Sequence, residues 1–551
     1  MSLRRDPWLP AALLLSLLLI GLVALPQLWI LRASLIGPEG GAGLENARRF
    51  FTAPRYLVAL RTSLVLSAVV ALLTLLIAVP LAFFHARYRL PGRDLVLTLA
   101  TMATVSPPFL GAYVWVMLLG WGGSLTRVLR GLGVPFESIV GFHGVVFVAT
   151  LGSVGLVFLL AHDAFAGMDP ALEEAAMSVG ASRLRTHLQI SLPLAAPGLL
   201  TAAYLTAVTT LADFGTPRIV GGEVSVLPLL VYHEFLGEVT GNPSMAATGS
   251  VVMLALSTGA LLLQRLLLAG RSYALQSAAR APRQPLGRLA SALVLGATAV
   301  VFALVFVPHL VVTFASFLSW RADVASLPFT LGNYRLLFGE SFAPVLVSHG
   351  LALVATLVAV VCGTAIAYVS ARRAYPVVSP GLSALAMVPF VIPGTVLAVG
   401  LIVVFNQPPL RWTGTWMILA VAYLVRKLPY ALKSAEAALH QVHPSLEEAA
   451  LSVGATPGRA FRDVTARLIL PAIVSGASLT YLMTLTELSA TVMLYGSRTT
   501  TMSVVIYQAA LGLGGQFGRA ASTAVVMMAS VYLPLYAARR RFAAGALTGT
   551  R

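Results

Sequence analysis

Two carboxylates stand in stretches that are otherwise apolar, Asp213 in TTLADFGTP and Glu487 in TLTELSATV. Each follows a proline, Pro197 or Pro471, by 16 residues, roughly 24 Å along a helix at 1.5 Å per residue. Ionisable groups inside apolar spans are costly and mark pathways by default. Carboxylate oxygens also suit hard cations. One reading makes the pair an outer gate facing an arriving substrate. The other has each carboxylate bonding a neighbouring helix or capping a helix end.

Proline breaks the backbone ladder in two further apolar stretches, at Pro107 and Pro108 and again at Pro389 and Pro393. Such breaks are tolerated in a membrane only where protein or a water-filled cavity supplies partners. Hinges lining a path and static kinks are both open. His85, His162 and His349 fall at the ends of apolar runs without metal-ligand spacing, so they are expected at the interface and no metal site is assigned. Arg426-Lys427 is expected either just inside the cytoplasmic boundary or at the end of the tenth span. The only lysines, Lys427 and Lys433, follow no glycine-rich loop, so there is no phosphate cradle. No catalytic residue is assigned, and no enzyme activity is expected.

The most distinctive polar element occurs twice. Leu172 to Ala181 reads LEEAAMSVGA, and Leu446 to Ala455 reads LEEAALSVGA, 274 residues later. Pro170 and Pro444 suit a first helical turn, and Asp169 is available as a cap in the first copy. Glu173 and Glu174, like Glu447 and Glu448, lie near the positive end of the helix dipole. Ala175, Ala176, Ala449 and Ala450 favour helix and leave little bulk for an approaching surface to meet. Gly180 and Gly454 then end each helix, and a second one starts at Ser182 or at Thr456-Pro457. Two matched hairpins fit docking to a twofold partner.

These elements need long apolar helices to hold them. The chain has 551 residues, 58% hydrophobic and only 10% charged, far from an ordinary soluble composition. Runs such as Leu9 to Leu31, Ser63 to Phe84 and Leu351 to Val369 approach the roughly 20 residues that cross a bilayer. They are not the alternating segments of an outer-membrane barrel. The expected fold is an all-α polytopic membrane protein with about twelve spans, near 8–35, 61–84, 95–120, 143–162, 194–216, 245–268, 289–318, 345–370, 382–405, 414–432, 468–494 and 518–538. The first is read as a retained span, since no small-residue cleavage site follows it. The formal charge of +17 does not call for nucleic acid: with the N-terminus cytoplasmic, about two thirds of the Lys and Arg fall on the cytoplasmic side, as insertion favours. Cys362, the one cysteine, lies inside a span and is read as a packing residue.

Internal repetition divides the chain into residues 1–268 and 289–551, joined by a basic linker at 269–288. Ser63 to Pro91 aligns with Ser348 to Pro376, and around the hairpins Pro197 meets Pro471 and Asp213 meets Glu487. An even number of spans per half makes this a parallel repeat, with both hairpins (168–192 and 442–467) and both termini on the cytoplasmic side.

EEAAMSVGA and EEAALSVGA, with their preceding prolines, resemble the EAA motif of ABC importer permeases of the binding-protein-dependent, MetI-like superfamily. LADFGTPRIVGG and LTELSATVMLYGSRTTTMSVVIYQA are similar to its fused, two-domain iron-transport branch. The resemblance implies that each hairpin is a coupling helix seated on an ATP-binding subunit homodimer that binds the ATP and Mg, with no cofactor in this chain. It also implies an extracytoplasmic substrate-binding protein, docked on segments near 37–60 and 217–244, and location in a bacterial inner membrane in contact with lipid. Ferric iron is the expected substrate; thiamine, polyamine, sulfate and phosphonate compounds are the alternatives. The family's usual Leu-Pro after the hairpin is Leu192-Pro193 in the first copy but Ala466-Arg467 in the second, which leaves the exit of that hairpin open. Twelve spans in parallel halves also describe a proton-coupled secondary transporter, and ARYRLPGRD faintly resembles the basic loop of that class. A non-transporting membrane scaffold is the remaining rival.

Overall fold

A computed structural model describes residues 8–548, apart from 38–39, 238–240, 270–283, 322–323, 374 and 513–516. Most of the expected linker at 269–288 therefore lies outside the described residues.

The first half opens with α1 (Trp8–Leu19), which runs through a π-helical turn into α2 (Leu25–Leu35). The short α3 (Glu45–Thr52) leads into α4 (Pro54–Arg87). A broken segment follows, α5 (Arg93–Val105) then α6 (Pro108–Leu119), and after it α7 (Ser124–Gly131) and α8 (Phe142–Ala166). The hairpin is α9 (Pro170–Ser178) and α10 (Arg183–Thr186), continued through a π turn into α11 (Leu192–Leu211). Short α12 (Gly215–Val220) and α13 (Leu227–Leu236) precede α14 (Pro243–Leu268).

The second half repeats this order. It comprises α15 (Arg288–Ser316), α16 (Gly332–Gly339), α17 (Ala343–Tyr368), the broken pair α18 (Val378–Met387) and α19 (Gly394–Phe405), and α20 (Trp416–Gln441). Its hairpin is α21 (Ser445–Ser452) and α22 (Pro457–Ala460), leading through a π turn into α23 (Ala466–Leu485). The chain then forms α24 (Thr491–Leu494), α25 (Met502–Ala510) and α26 (Phe517–Thr548). One element was not expected: an antiparallel pair, β1 (Leu318–Arg321) and β2 (Val324–Phe329), follows α15.

Nine helical segments among the described residues are long and apolar enough to cross a membrane, or ten if the bent α18–α19 segment is one span. The remaining two of the expected twelve are α20 and α26. The first carries Arg426, Lys427 and Lys433 within its length, and the second is 32 residues long. Composition, not length, sets α20 apart.

The repeat extends to the backbone. The helices α8 and α20 begin at Phe142 and Trp416, α11 and α23 at Leu192 and Ala466, and α14 and α26 at Pro243 and Phe517. Each pair is separated by the same 274 residues. The π turns before α11 and α23 also match, at His187–Ser191 and Phe461–Thr465. The earlier helices follow a longer offset, because α7 and its flanks fill the connection from α6 to α8, whereas α19 and α20 are joined by a short loop.

Each half is built on its second and fourth long helices. The tightest packing pairs are α4 with α8 and α17 with α20, with α11 and α23 closing each cluster. Small residues allow the approach: a Cβ on Gly363 of α17 would lie 2.8 Å from the backbone nitrogen of Leu432 in α20. Where the lipid phase gives apolar side chains no reason to associate, such close packing holds helices together. The first helix of each half reaches across to the other: α1 and α2 pack on α18 and α19, and α15 packs on α6. The halves are thus clasped by exchanged arms.

Candidate functional site

The two hairpins are superposable in their hydrogen bonds. At the end of α9, Gly180 N–H donates to Met177 O and Ala181 N–H to Ala176 O, both at 3.0 Å. At the end of α21, Gly454 N–H donates to Leu451 O and Ala455 N–H to Ala450 O, at 3.0 and 3.1 Å. This pattern closes a helix with a left-handed residue, and both glycines have φ of +89°. The next helix starts in both copies with a hydroxyl cap, Ser182 accepting from Arg185 N–H and Thr456 from Arg459 N–H. Despite Ala466-Arg467 in place of Leu-Pro, the second hairpin leaves through the same π turn as the first.

The entry to each hairpin is also capped from the same position. Asp169 Oδ1 accepts from Ala171 N–H at 2.9 Å. In the second copy His443 Nδ1 lies 3.2 Å from Ser445 N. Pro170 opens α9 as expected, but Pro444 is the residue before α21 and not its first. The His443 cap was legible from the 274-residue register and was missed because histidine is not a usual N-cap residue.

The paired glutamates divide their labour. Glu173 is buried and ion-paired with Arg87 at the end of α4, and it accepts from Ser191 Oγ at 2.6 Å. Glu447 accepts from Tyr368 OH and from Thr465 Oγ1 at 3.0 Å, with Arg373 at 3.5 Å. Ser191 and Thr465 are register equivalents, as are Phe83 and Tyr368, whose rings lie against His187 and Phe461 respectively. The first glutamate of each motif thus faces the helical body and ties the hairpin to α4 or α17. The second, Glu174 or Glu448, is exposed, as are Ala175 and Ala449, while Ala176 and Ala450 are half-buried. Between helix and glycine, Val179 and Val453 are each 86% exposed. An isolated valine is turned out to this degree in both copies, a feature the sequence reading did not single out.

At the opposite ends of α11 and α23 the two halves meet. A Cβ on Gly215 would lie 3.0 Å from Leu488 Cδ2 of the other half and 3.1 Å from Phe109 Cβ. Asp213 caps α12, its Oδ1 accepting from Gly215 N–H at 2.9 Å and Thr216 N–H at 3.3 Å. Glu487 accepts from Lys427 Nζ at 2.8 Å, Arg426 Nε at 3.1 Å and Ala490 N–H at 3.3 Å. The loops carrying these carboxylates touch, while each carboxylate is engaged within its own half.

Arg426 and Lys427 lie inside a continuous helix and not at its end, since α20 runs on to Gln441. They stand about 15 Å from the start of α20.

The proline breaks are real and matched. Pro107 and Pro393 each precede the second helix of a broken segment in extended conformation; Pro108 is the first residue of α6, and Pro389 sits in a 3-10 turn. The helices on either side of the second break are bent by 113°. In the first break Ser106 Oγ lies 2.8 Å from His309 Nε2, which also meets Tyr532 OH at 2.7 Å. Side chains of the second half thus reach the first break.

The three histidines expected at the interface are inter-helix partners. His85 is buried against Thr298 of α15 at 3.1 Å, His162 lies 2.9 Å from Arg93 Nη2, and His349 lies 2.5 Å from Tyr481 OH and 3.2 Å from Ser530 Oγ.

Residues 75–273 and 359–545 each match the family described as binding-protein-dependent transport system inner membrane component. The putative ferric transport system permease protein FbpB 1 of Haemophilus influenzae is 26% identical over 89% of this chain and 79% of its own length. The Fe(3+)-transport system permease protein FbpB 2 of the same species is 25% identical, over 92% and 93% of the two chains. A putative 2-aminoethylphosphonate transport system permease protein, PhnV, of Salmonella typhi is 30% identical over 45% of this chain and 93% of its own. With a matching domain in each half, the chain belongs to the family of binding-protein-dependent transport system inner membrane components, in its doubled form.

Proposed function

We propose that this chain is the translocating subunit of an ATP-driven importer for ferric iron, located in a bacterial inner membrane with both termini and both hairpins in the cytoplasm. The observation that carries the reading is the pair of hairpins. Each presents an exposed valine beside a left-handed glycine, and each is tied at its base by a buried or half-buried glutamate. A twofold ATP-binding partner needs two equivalent sockets, and here one polypeptide supplies both.

In operation, ATP-driven closure of the partner dimer draws the hairpins together. The Glu173–Arg87 and Glu447–Tyr368 ties pass that displacement to α4 and α17, and the continuous helices from α10 to α11 and from α22 to α23 pass it to the loops that meet at Gly215 and Leu488. Rigid helices moving about such contacts convert closure at one end into opening at the other. Iron as cargo is supported by the full-length relatives named as ferric permeases. A binding protein delivering substrate has exposed positions of α3 and of the connection between α12 and α13, at Gly222 and Glu223, on which to dock.

The test is uptake of radioactive iron by cells expressing the chain with its ATP-binding and binding-protein subunits. ATP-dependent iron uptake is expected, abolished by Gly454→Asp. Uptake driven by a proton gradient without ATP, or of 2-aminoethylphosphonate and not iron, overturns the reading.

A further inference from the structure

The charges at the middle of the second half do not cancel. Arg426 and Lys427 bring two cations to one carboxylate, Glu487. Arg426 uses Nε for that bond, while its Nη1 is buried and has no hydrogen-bond partner among the described residues. A Cβ on Gly394, the first residue of α19, would meet Arg426 Nη1 at 2.5 Å. The guanidinium therefore lies against the first turn of a twelve-residue helix whose preceding residue, Pro393, offers no side-chain cap. One residue on, Thr395 is fully buried and its Oγ1 is also unpartnered. A surplus cation, an orphan guanidinium nitrogen, an orphan hydroxyl and the positive end of a helix dipole thus gather at one break in the membrane.

Every one of these features disfavours a bare cation and favours an oxyanion. Helix N-termini and arginine are the standard donors to carboxylate and phosphate oxygens. An uncompensated charge away from water is expensive, so the surplus calls for a counter-charge. The place is also on the seam between halves: the same Cβ would meet Ser489 at 2.9 Å, and Leu488 beside it touches Gly215 of the first half.

The first half lacks the device. At the positions of Arg426 and Lys427 it has Gly152 and Ser153, and at those of Gly394 and Thr395 it has Pro108 and Phe109. Fusion of the halves lets one of them specialise.

We infer that the α18–α19 break holds an oxyanion-recognition point formed by Arg426, Thr395 and the first turn of α19, so that iron passes it still carrying carboxylate or phosphate ligands. The identity of the metal rests on the iron reading above; the oxyanion site does not.

The test uses the purified full-length chain in detergent, its thermal unfolding followed with citrate, ferric citrate or inorganic phosphate against sodium chloride of equal ionic strength. At about ten times Kd, a bound oxyanion raises Tm by about 1 °C. Citrate alone identifies a carboxylate chelate, phosphate alone an inorganic anion, and either result supports the site. Arg426→Gln is expected to weaken binding about tenfold and Thr395→Val about threefold, with Arg498→Gln, in a separate cleft between α16 and α25, unchanged. If Arg426→Gln does not fold, Arg426→Lys and Thr395→Val carry the comparison, and both bind more weakly than the parent. No stabilisation by any of the three probes, or equal binding in parent and variants, overturns the proposal. Oxyanion binding without ATP-dependent iron uptake would sink the iron reading and leave the site standing; the reverse result would do the opposite.

Discussion

Arg87 and Glu173 form an ion pair in which the side chains are only 9% and 3% exposed. The pair joins the end of α4 to the first turns of the repeated hairpin, so the hairpin moves only with the helix that anchors it. Removing one partner of a buried pair leaves the other uncompensated, at a cost of about 3–5 kcal/mol. Arg87→Gln is expected to lower thermal stability by that order and to leave ATP hydrolysis by the assembled transporter uncoupled from uptake. Parallel measurements of ATPase rate and iron uptake check it; retained uptake at normal stoichiometry contradicts it.

Glu447→Gln should be milder than Glu173→Gln. Glu447 is held by the Tyr368 and Thr465 hydroxyls, with its arginine at 3.5 Å, and a neutral amide retains part of that bonding. A loss of about 1 kcal/mol is expected, the usual value for a hydrogen bond to a side chain. Unfolding curves of the two variants side by side decide the order.

Gly180→Ala separates backbone from contact. Nothing lies within 4 Å of a Cβ built there, yet φ is +89°. The cost is therefore conformational, about 1–2 kcal/mol, and the same at Gly454. Equal destabilisation by Gly180→Ala and Gly454→Ala is predicted from thermal unfolding. Neutral behaviour at either site would mean that the helix does not end there as described.

Glu487→Gln strips both Arg426 and Lys427 of their only described carboxylate, whereas Asp213→Ala removes a cap from α12. The first is expected to cost about 3–5 kcal/mol and the second about 1 kcal/mol. Lys427→Met combined with Glu487→Gln should recover part of the first loss. Failure of that double variant to improve on Glu487→Gln would show that the pair is not what holds the loop.

The hairpins, the parallel halves and the long helices were readable because each depends on local rules: helix propensity, a left-handed glycine, and apolar length. Side-chain destinations were not. The apolar runs carry little periodicity, so nothing in α20 shows which side of the helix Lys427 occupies, and its partner lies 60 residues away. The partners of the histidines were hidden for the same reason, since His85 finds Thr298 213 residues on. The β1–β2 hairpin escaped notice because two short strands after a long apolar helix resemble any polar loop. Asp213 illustrates what spacing does show: a short acidic residue two positions before a new helix accepts from its first N–H groups.

Surface valines Val179 and Val453 provide the most direct measurement. With Cys362→Ala removing the only native cysteine, Val179→Cys or Val453→Cys gives a chain with a single thiol at one hairpin tip. A membrane-impermeant maleimide should label either thiol in inverted vesicles and not in spheroplasts, and addition of the ATP-binding subunit should block the labelling at both. Labelling from the outside, or labelling at either tip that the ATP-binding subunit leaves unchanged, contradicts the assignment of the hairpins as its sockets.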